Sequence, residues 1–387
     1  MCRKISFLLL FLTFFSLFAL PLHALSLSAK SAILIEGQSG EVIYEKNACE
    51  MLSMASTTKI MTAIVALESG CDLDKKYKIP PEAIGIEGSS IYLTNDEELS
   101  LRELLYALML ESANDSAVAI AIITYGSLDN FVEKMNEKAA ELNLSSTHFE
   151  NPHGLDAENH HSSALDLATL AKYALENELF AKIVKTRTYK IGGENTLPRT
   201  LVNHNKLLRL YDGASGVKTG YTKKTGRCLV SSSFRDGVSL IAVTLNAPSD
   251  WHDHTELFDY GFSLYESVSL ADIGDYTVEL PILNGKKSTV LAVNDSAFSF
   301  TQRKGEGDFY AVLEVNDEIS APIYKGDSLG KIVFYKNDEK IGETNIVALE
   351  NIKKKEEKRF LTGLIDYGKN KIAKIFHRPW NNVTPRE

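Results

Sequence analysis

The hydrophobic pattern changes character several times along the 387 residues. An apolar run from Ile5 to Leu22 opens the chain and follows the basic pair Arg3-Lys4. Beyond it, Ala32-Ile33-Leu34-Ile35 reads as a strand. Val42-Ile43-Tyr44 reads as its hairpin partner across Gln38-Ser39-Gly40. A helix is predicted from Ser56 to Ser69, stopped by Gly70, with Ile60, Ile64 and Leu67 at helical spacing toward a core. Ser100-Leu101-Arg102-Glu103 is a capping box that opens a helix through Leu110. Ser112 to Asp115 can open the next, to about Ile123, and Ser163 to Asp166 another, to about Glu176. The half before residue 185 is therefore mostly helical.

After Gly216 the period shortens. Val217-Lys218-Thr219, Cys228–Ser233 and Val238–Leu245 read as strands, the last two joined around Arg235-Asp236-Gly237. Thr255–Val268 is expected as a last helix. Short strands then follow at Thr277–Leu280, Ser288–Val293, Phe309–Val315 and Lys331–Tyr335. The pattern predicts an α/β (α+β) body, with helices around a mainly antiparallel sheet, over residues 25–270. A small all-β domain is expected over 276–350, joined near Ala271 to Asp275. From Asn351 to Glu387 the chain is basic, with Leu361, Leu364, Ile365, Ile372, Ile375 and Phe376 on one helical face and lysines flanking it. An amphipathic helix of this kind can lie in a membrane interface; a tail packed on its own domain is the plainer reading.

The apolar N-terminal run is short for a membrane span and ends in Leu22-His23-Ala24, so residues 1–24 read as an export signal cleaved after Ala24. Cleavage removes two basic residues from a net charge of −9, leaving −11. An acidic body argues against nucleic acid as a partner. Three cysteines remain, Cys49, Cys71 and Cys228. Cys49 and Cys71 could bridge in an oxidising exterior, although spacing alone does not pair them. His252-Asp253-His254 and His160-His161 lack a third ligand at a recognisable spacing, so no metal and no cofactor is expected. Asp115 and Asp166 fall in helix first turns, where cap and dipole effects account for them.

Three short strings carry the chemistry: Ser56-Thr57-Thr58-Lys59, Ser112-Ala113-Asn114 and Lys218-Thr219-Gly220. Cleaving an amide through an acyl-enzyme needs a nucleophile, a base, an oxyanion hole and a grip on the leaving end. Ser56 and Lys59, three apart on a helix, share one face. Lys59 can serve as base only if burial lowers its pKa toward the catalytic range. Ser112 could relay a proton or merely cap a helix. Asn114 could bond Lys59 and the substrate backbone. Lys218 and Thr219 on a strand edge could hold a carboxylate, and Gly220 would let a substrate backbone approach. Taken singly, Ser56 reads as an N-cap, and Lys59 and Lys218 as surface charges.

The match extends to whole segments. Ala55–Thr62, Gly88-Ser89-Ser90-Ile91-Tyr92-Leu93, Glu111–Ala117, Asn151-Pro152-His153-Gly154-Leu155-Asp156, Asn203–Leu208 and Gly216–Thr222 resemble the blocks of the low-molecular-weight penicillin-binding proteins that are D-alanyl-D-alanine carboxypeptidases. The resemblance covers residues 27–265 strongly. It implies that Ser56 is acylated, that Lys59 is its base, and that Ser112 and Asn114 form a second element. It also implies that Lys218 and Thr219 bind the terminal carboxylate, and that the N–H groups of Ser56 and Tyr221 form the oxyanion hole. The implied partners are peptidoglycan stem peptides and β-lactams.

Two rival functions share these strings. A class A β-lactamase carries a Glu just before Glu-Leu-Asn; here Glu141-Leu142-Asn143 is preceded by Ala139 at that position. The other rival is a non-catalytic β-lactam or wall sensor that keeps the pocket.

Overall fold

A computed structural model describes residues 25–193 and 196–356. The expected signal at 1–24 and nearly all of the basic tail lie outside the described residues. Strands β1 (Ser31–Glu36) and β2 (Val42–Lys46) form the expected hairpin. A 3-10 turn at Ala55–Thr58 leads into α1 (Lys59–Leu67), so the helix starts three residues later than the pattern suggests. Its residues Lys59 to Ala66 are all buried, not one face alone. The short pair β3 (Lys76–Lys78) and β4 (Glu98–Ser100) precedes α2 (Leu101–Leu110), which opens with the expected Ser100–Glu103 capping box. Then come α3 (Asn114–Tyr125), α4 (Leu128–Glu141), α5 (Ala164–Leu175) and α6 (Glu178–Lys185).

The hairpin β5 (Thr188–Gly193) and β6 (Thr196–Val202) escaped the sequence pattern. After the single turn α7 (Leu207–Leu210), strands β7 (Ala214–Thr222), β8 (Gly226–Arg235) and β9 (Val238–Leu245) join β1 and β2 in one antiparallel sheet, ordered β2-β1-β9-β8-β7. Alternation along β1 shows how the sheet is covered. Ile33 and Ile35 pack into the core of α1 to α6, while Ala32 and Leu34 pack toward α8 (Asp250–Leu264). With both faces covered, β7 is the strand left at one margin.

The helix expected to reach Val268 ends at Leu264. Tyr265–Ala271 is instead β10, because it pairs with β13. The all-β part has its own core and a second sheet. Its strands are β11 (Thr277–Pro281), β12 (Thr289–Asn294), β13 (Phe298–Arg303), β14 (Phe309–Val315), β15 (Ser328–Lys336) and β16 (Glu339–Ala348). The five-stranded sheet runs β11-β12-β16-β15-β14. Strands β10, β13 and β16 were not legible beforehand.

Candidate active site

The nucleophile candidate sits where the chain is most constrained. Ala55, just before Ser56, has φ +48, a conformation L residues rarely adopt. The 3-10 turn is tied by side chains: Thr57 Oγ1 donates to Met54 O at 2.6 Å and Thr58 Oγ1 to Ala55 O at 2.8 Å. His160 stands behind it. Its Nδ1 accepts from the Glu150 N–H at 3.0 Å, which leaves Nε2 to donate to Thr58 Oγ1 at 2.8 Å. Burial pushes His160 down to about 4, so the ring is neutral in this arrangement. Gly154, at φ +87, allows the 151–156 loop to close on the turn, since a Cβ there would meet Ala55 O at 2.1 Å.

Lys59 is fully buried, and its Nζ is held by three acceptors. It donates to Ser56 Oγ at 3.0 Å, to Asn114 Oδ1 at 2.7 Å and to the carbonyl of His153. Burial drives its pKa well below the usual lysine value, and the Lys218 ammonium pushes in the same direction; Asp115 opposes them. The reading of Lys59 as a solvated charge is therefore excluded.

Ser112 is not the helix cap the sequence permitted. Ala113 is the N-cap of α3 and makes no side-chain cap bond, while Ser112 has φ +59 in the link between α2 and α3. Its hydroxyl makes no hydrogen bond among the described residues, whereas Asn114 bonds Lys59 directly. Asn114 is fixed from three sides. Its N–H donates to Ser89 O at 2.7 Å, its Nδ2 to Glu87 O at 2.7 Å, and its Oδ1 receives Lys59. Gly88, at φ +85, faces that amide, where a Cβ would stand 2.7 Å from Nδ2.

Asp115 does more than a first-turn charge would. Its carboxylate accepts from Ser90 Oγ at 2.6 Å and from the N–H groups of Ile91 and Leu93. It clasps the 88–93 loop against α3. Asp166, likewise, receives Ser146 N and Thr147 Oγ1 from a neighbouring loop.

The third wall is β7. Lys218 is buried and its Nζ donates to Thr219 O at 2.9 Å. Burial lowers its pKa to about 7. Thr219 is half-buried and Tyr221 exposed. Gly220 differs from expectation in what approaches it. A Cβ there would lie 3.1 Å from both Met54 O and Ser56 N, so it is the chain's own nucleophile turn that needs the missing side chain. Gly220 thus sets the strand against Ser56. The sequence strings give no hint of the His160, Gly154 and Asp115 contacts, because each is made across long separations.

The other candidates are structural. His254 is buried between Ser231 Oγ and Thr244 Oγ1, and burial lowers it to about 3. Asp253 receives Ser28 and Ala29. Among the described residues, no group of three or more His, Cys, Asp or Glu is placed to hold a metal. Cys49, Cys71 and Cys228 are free thiols, so the possible Cys49–Cys71 bridge is absent. Glu141 is the last residue of α4, and Ala139 is packed in the core.

Comparison with known proteins agrees with this geometry. Residues 20–249 match the family model described as D-alanyl-D-alanine carboxypeptidase. The chain belongs to the D-alanyl-D-alanine carboxypeptidase family. Residues 265–354 match the C-terminal domain of penicillin-binding protein 5. Among family relatives, the carboxypeptidase DacF of Bacillus subtilis is 37% identical, over 84% of this chain and 86% of its own. DacA of Escherichia coli is 30% identical, over 91% and 88%. The solved penicillin-binding protein 5 of Haemophilus influenzae aligns with TM-score 0.61 at 26% identity, over 85% of this chain and 98% of that one. The Streptomyces K15 DD-transpeptidase aligns with TM-score 0.59 at 33% identity, over 62% and 98%. The family fold, a catalytic body followed by an all-β part, is the one described above.

Proposed function

We propose that this chain is a serine D-Ala-D-Ala carboxypeptidase that removes the terminal D-alanine of peptidoglycan stem peptides through an ester on Ser56. One observation carries the reading: Nζ of the buried, low-pKa Lys59 lies 3.0 Å from Ser56 Oγ. The neutral amine takes the Ser56 proton as Oγ attacks the carbonyl of the penultimate residue. Negative charge on that oxygen is met by the N–H groups of Ser56 and Tyr221. The proton passes through Ser112 to the departing D-alanine nitrogen as the C–N bond breaks. Water then hydrolyses the ester, with Lys59 again as base. Lys218 and Thr219 hold the terminal carboxylate, and Asn114 orients Lys59 and the donor backbone.

β-Lactams acylate the same serine. Their release is slow, because the Glu-Leu-Asn string of class A β-lactamases has here its last acidic residue at the end of α4 and an alanine in the core. An amine acceptor in place of water would give transpeptidation; K15, named a DD-transpeptidase, shares 33% identity with the catalytic body.

The site works outside the cytoplasmic membrane, given the 1–24 leader, with the 25–270 body on a 276–350 β domain and the 351–387 tail touching the bilayer surface. Among the described residues no helix is long and apolar enough to cross a membrane. Mass spectrometry of the purified protein with a D-Ala-D-Ala pentapeptide and with benzylpenicillin tests the chemistry. Wild type loses D-alanine from the peptide and gains one adduct on Ser56, while Ser56→Ala and Lys59→Ala do neither. Equal D-alanine release by Ser56→Ala overturns the reading.

A further inference from the structure

The loop that fixes Asn114 also pushes an aromatic ring into solvent. Tyr92 is 81% exposed, the most exposed of the large apolar side chains among the described residues. Its neighbours Ile91 and Leu93 are buried. Its backbone has φ +57, costly for a ring-bearing residue. That conformation is enforced from every side. The Tyr92 N–H donates to Ser90 Oγ at 2.9 Å, and Asp115 holds the N–H groups on both sides of it. From the β5–β6 hairpin, Arg199 donates to Ile91 O at 2.7 Å and to Tyr92 O at 3.1 Å. Arg199 is itself locked by Glu97, which is buried. Local strain held by so many bonds marks a position whose exposed group has a use.

A second exposed apolar residue shares the clamp. Arg199 Nη1 also donates to the carbonyl of Leu197, which is 61% exposed. One guanidinium therefore ties two segments, distant in sequence, that each present an apolar side chain to water. The Tyr92 loop is the one whose Ser89 and Glu87 carbonyls grip Asn114. This rim is therefore continuous with the site at Asn114, which orients the donor backbone in the proposed reaction, whereas Lys218 takes the terminal carboxylate.

We infer that Tyr92 and Leu197 form a rigid apolar lip that receives the aliphatic portion of the donor peptide upstream of the cleaved bond. The inference rests on the carboxypeptidase reading. A rigid aromatic with few rotatable bonds binds apolar chain at low entropic cost. The lip contributes binding without touching the reacting atoms, so its loss falls on KM and spares kcat.

The test compares wild type, Tyr92→Asn, Tyr92→Phe and Leu197→Ser on three substrates: a D-Ala-D-Ala stem pentapeptide, a short N-acyl-D-Ala-D-Ala lacking the upstream residues, and benzylpenicillin. Asparagine tolerates a positive φ, so the loop keeps its shape. Tyr92→Asn and Leu197→Ser should each lose about tenfold in kcat/KM on the pentapeptide, through KM. The short substrate and the rate of Ser56 acylation by benzylpenicillin should be unchanged, and Tyr92→Phe should behave as wild type. Equal losses on pentapeptide and short substrate would overturn the lip, since they would mean a disturbed Asn114. Unchanged pentapeptide kinetics in both variants would overturn it too. If wild type takes benzylpenicillin on Ser56 but leaves the pentapeptide intact, the carboxypeptidase reading itself fails, and the lip with it.

Discussion

Lys218 faces Lys59 as a second buried amine, and its charge adds to burial in pushing Lys59 toward the neutral form. Asp115 acts on Lys59 in the opposite sense. The two neighbours therefore predict opposite shifts. Lys218→Gln removes a repelling cation, so Lys59 keeps its proton to higher pH and the acid limb of Ser56 acylation moves up. Asp115→Asn removes an attracting anion, and the limb moves down. Acylation rates with benzylpenicillin across pH, followed by intact-mass measurement, check both signs.

With its pKa lowered to about 7 by burial, Lys218 is only partly charged near neutrality. A ligand carboxylate favours the ammonium form. Binding of a D-Ala-D-Ala peptide to Ser56→Ala protein should then take up protons near neutral pH. Calorimetric titrations in buffers of different ionisation enthalpy should show that uptake, and it should vanish when Lys218→Gln is added.

Two glycines set the distances around the nucleophile. Gly220→Ala puts a methyl 3.1 Å from Ser56 N and Met54 O, both backbone atoms with little freedom to yield. The strand must shift, and acylation should slow roughly ten- to a hundredfold with the fold intact. Gly154→Ala adds a clash at Ala55 O to a positive φ and should destabilise the protein by about 2–4 kcal/mol. Stopped-flow acylation and thermal unfolding separate the two effects.

Much of this arrangement could be read from the chain, and the limits have physical causes. The grouping of Ser56, Lys59 and Asn114 was legible because an acyl-transfer site calls for a hydroxyl, an amine and a polar orienting group, and the structure joins Lys59 to Ser56 and Asn114. The capping box at Ser100 was legible because its bonds are local. Ser112 was ambiguous: a serine before a helix reads as a cap until the backbone shows Ala113 in that place. Tyr265–Val268 was misread as the end of a helix because its strand character comes from pairing with the Phe298–Arg303 strand, about thirty residues on. The Arg199–Glu97 clamp and the His160–Thr58 bond join residues about a hundred positions apart, and no local pattern carries such a contact.

Three neutral histidines make the fold sensitive to acid. Burial lowers His153 and His160 to about 4, the Lys59 charge adding to it at His153, and lowers His254 to about 3. In the unfolded chain each takes a proton near the ordinary histidine value, so the unfolded state binds more protons as pH falls below about 6.5. Stability is therefore full above that value and declines toward pH 4. His254 alone accounts for about 3 kcal/mol by pH 4. Denaturant unfolding at a series of pH values should show the decline, and His254→Gln should make it shallower by the His254 share, leaving that of His153 and His160.

Hiding two amines from water in one cleft makes the empty enzyme less sturdy than its sheet and helices would allow. A bound antibiotic that sets its carboxylate beside Lys218 relieves that tension for as long as the ester on Ser56 lasts. Drug-loaded protein should thus withstand heat better than the resting form. The slower an inhibitor leaves, the longer the cell-wall enzyme it has silenced would persist intact.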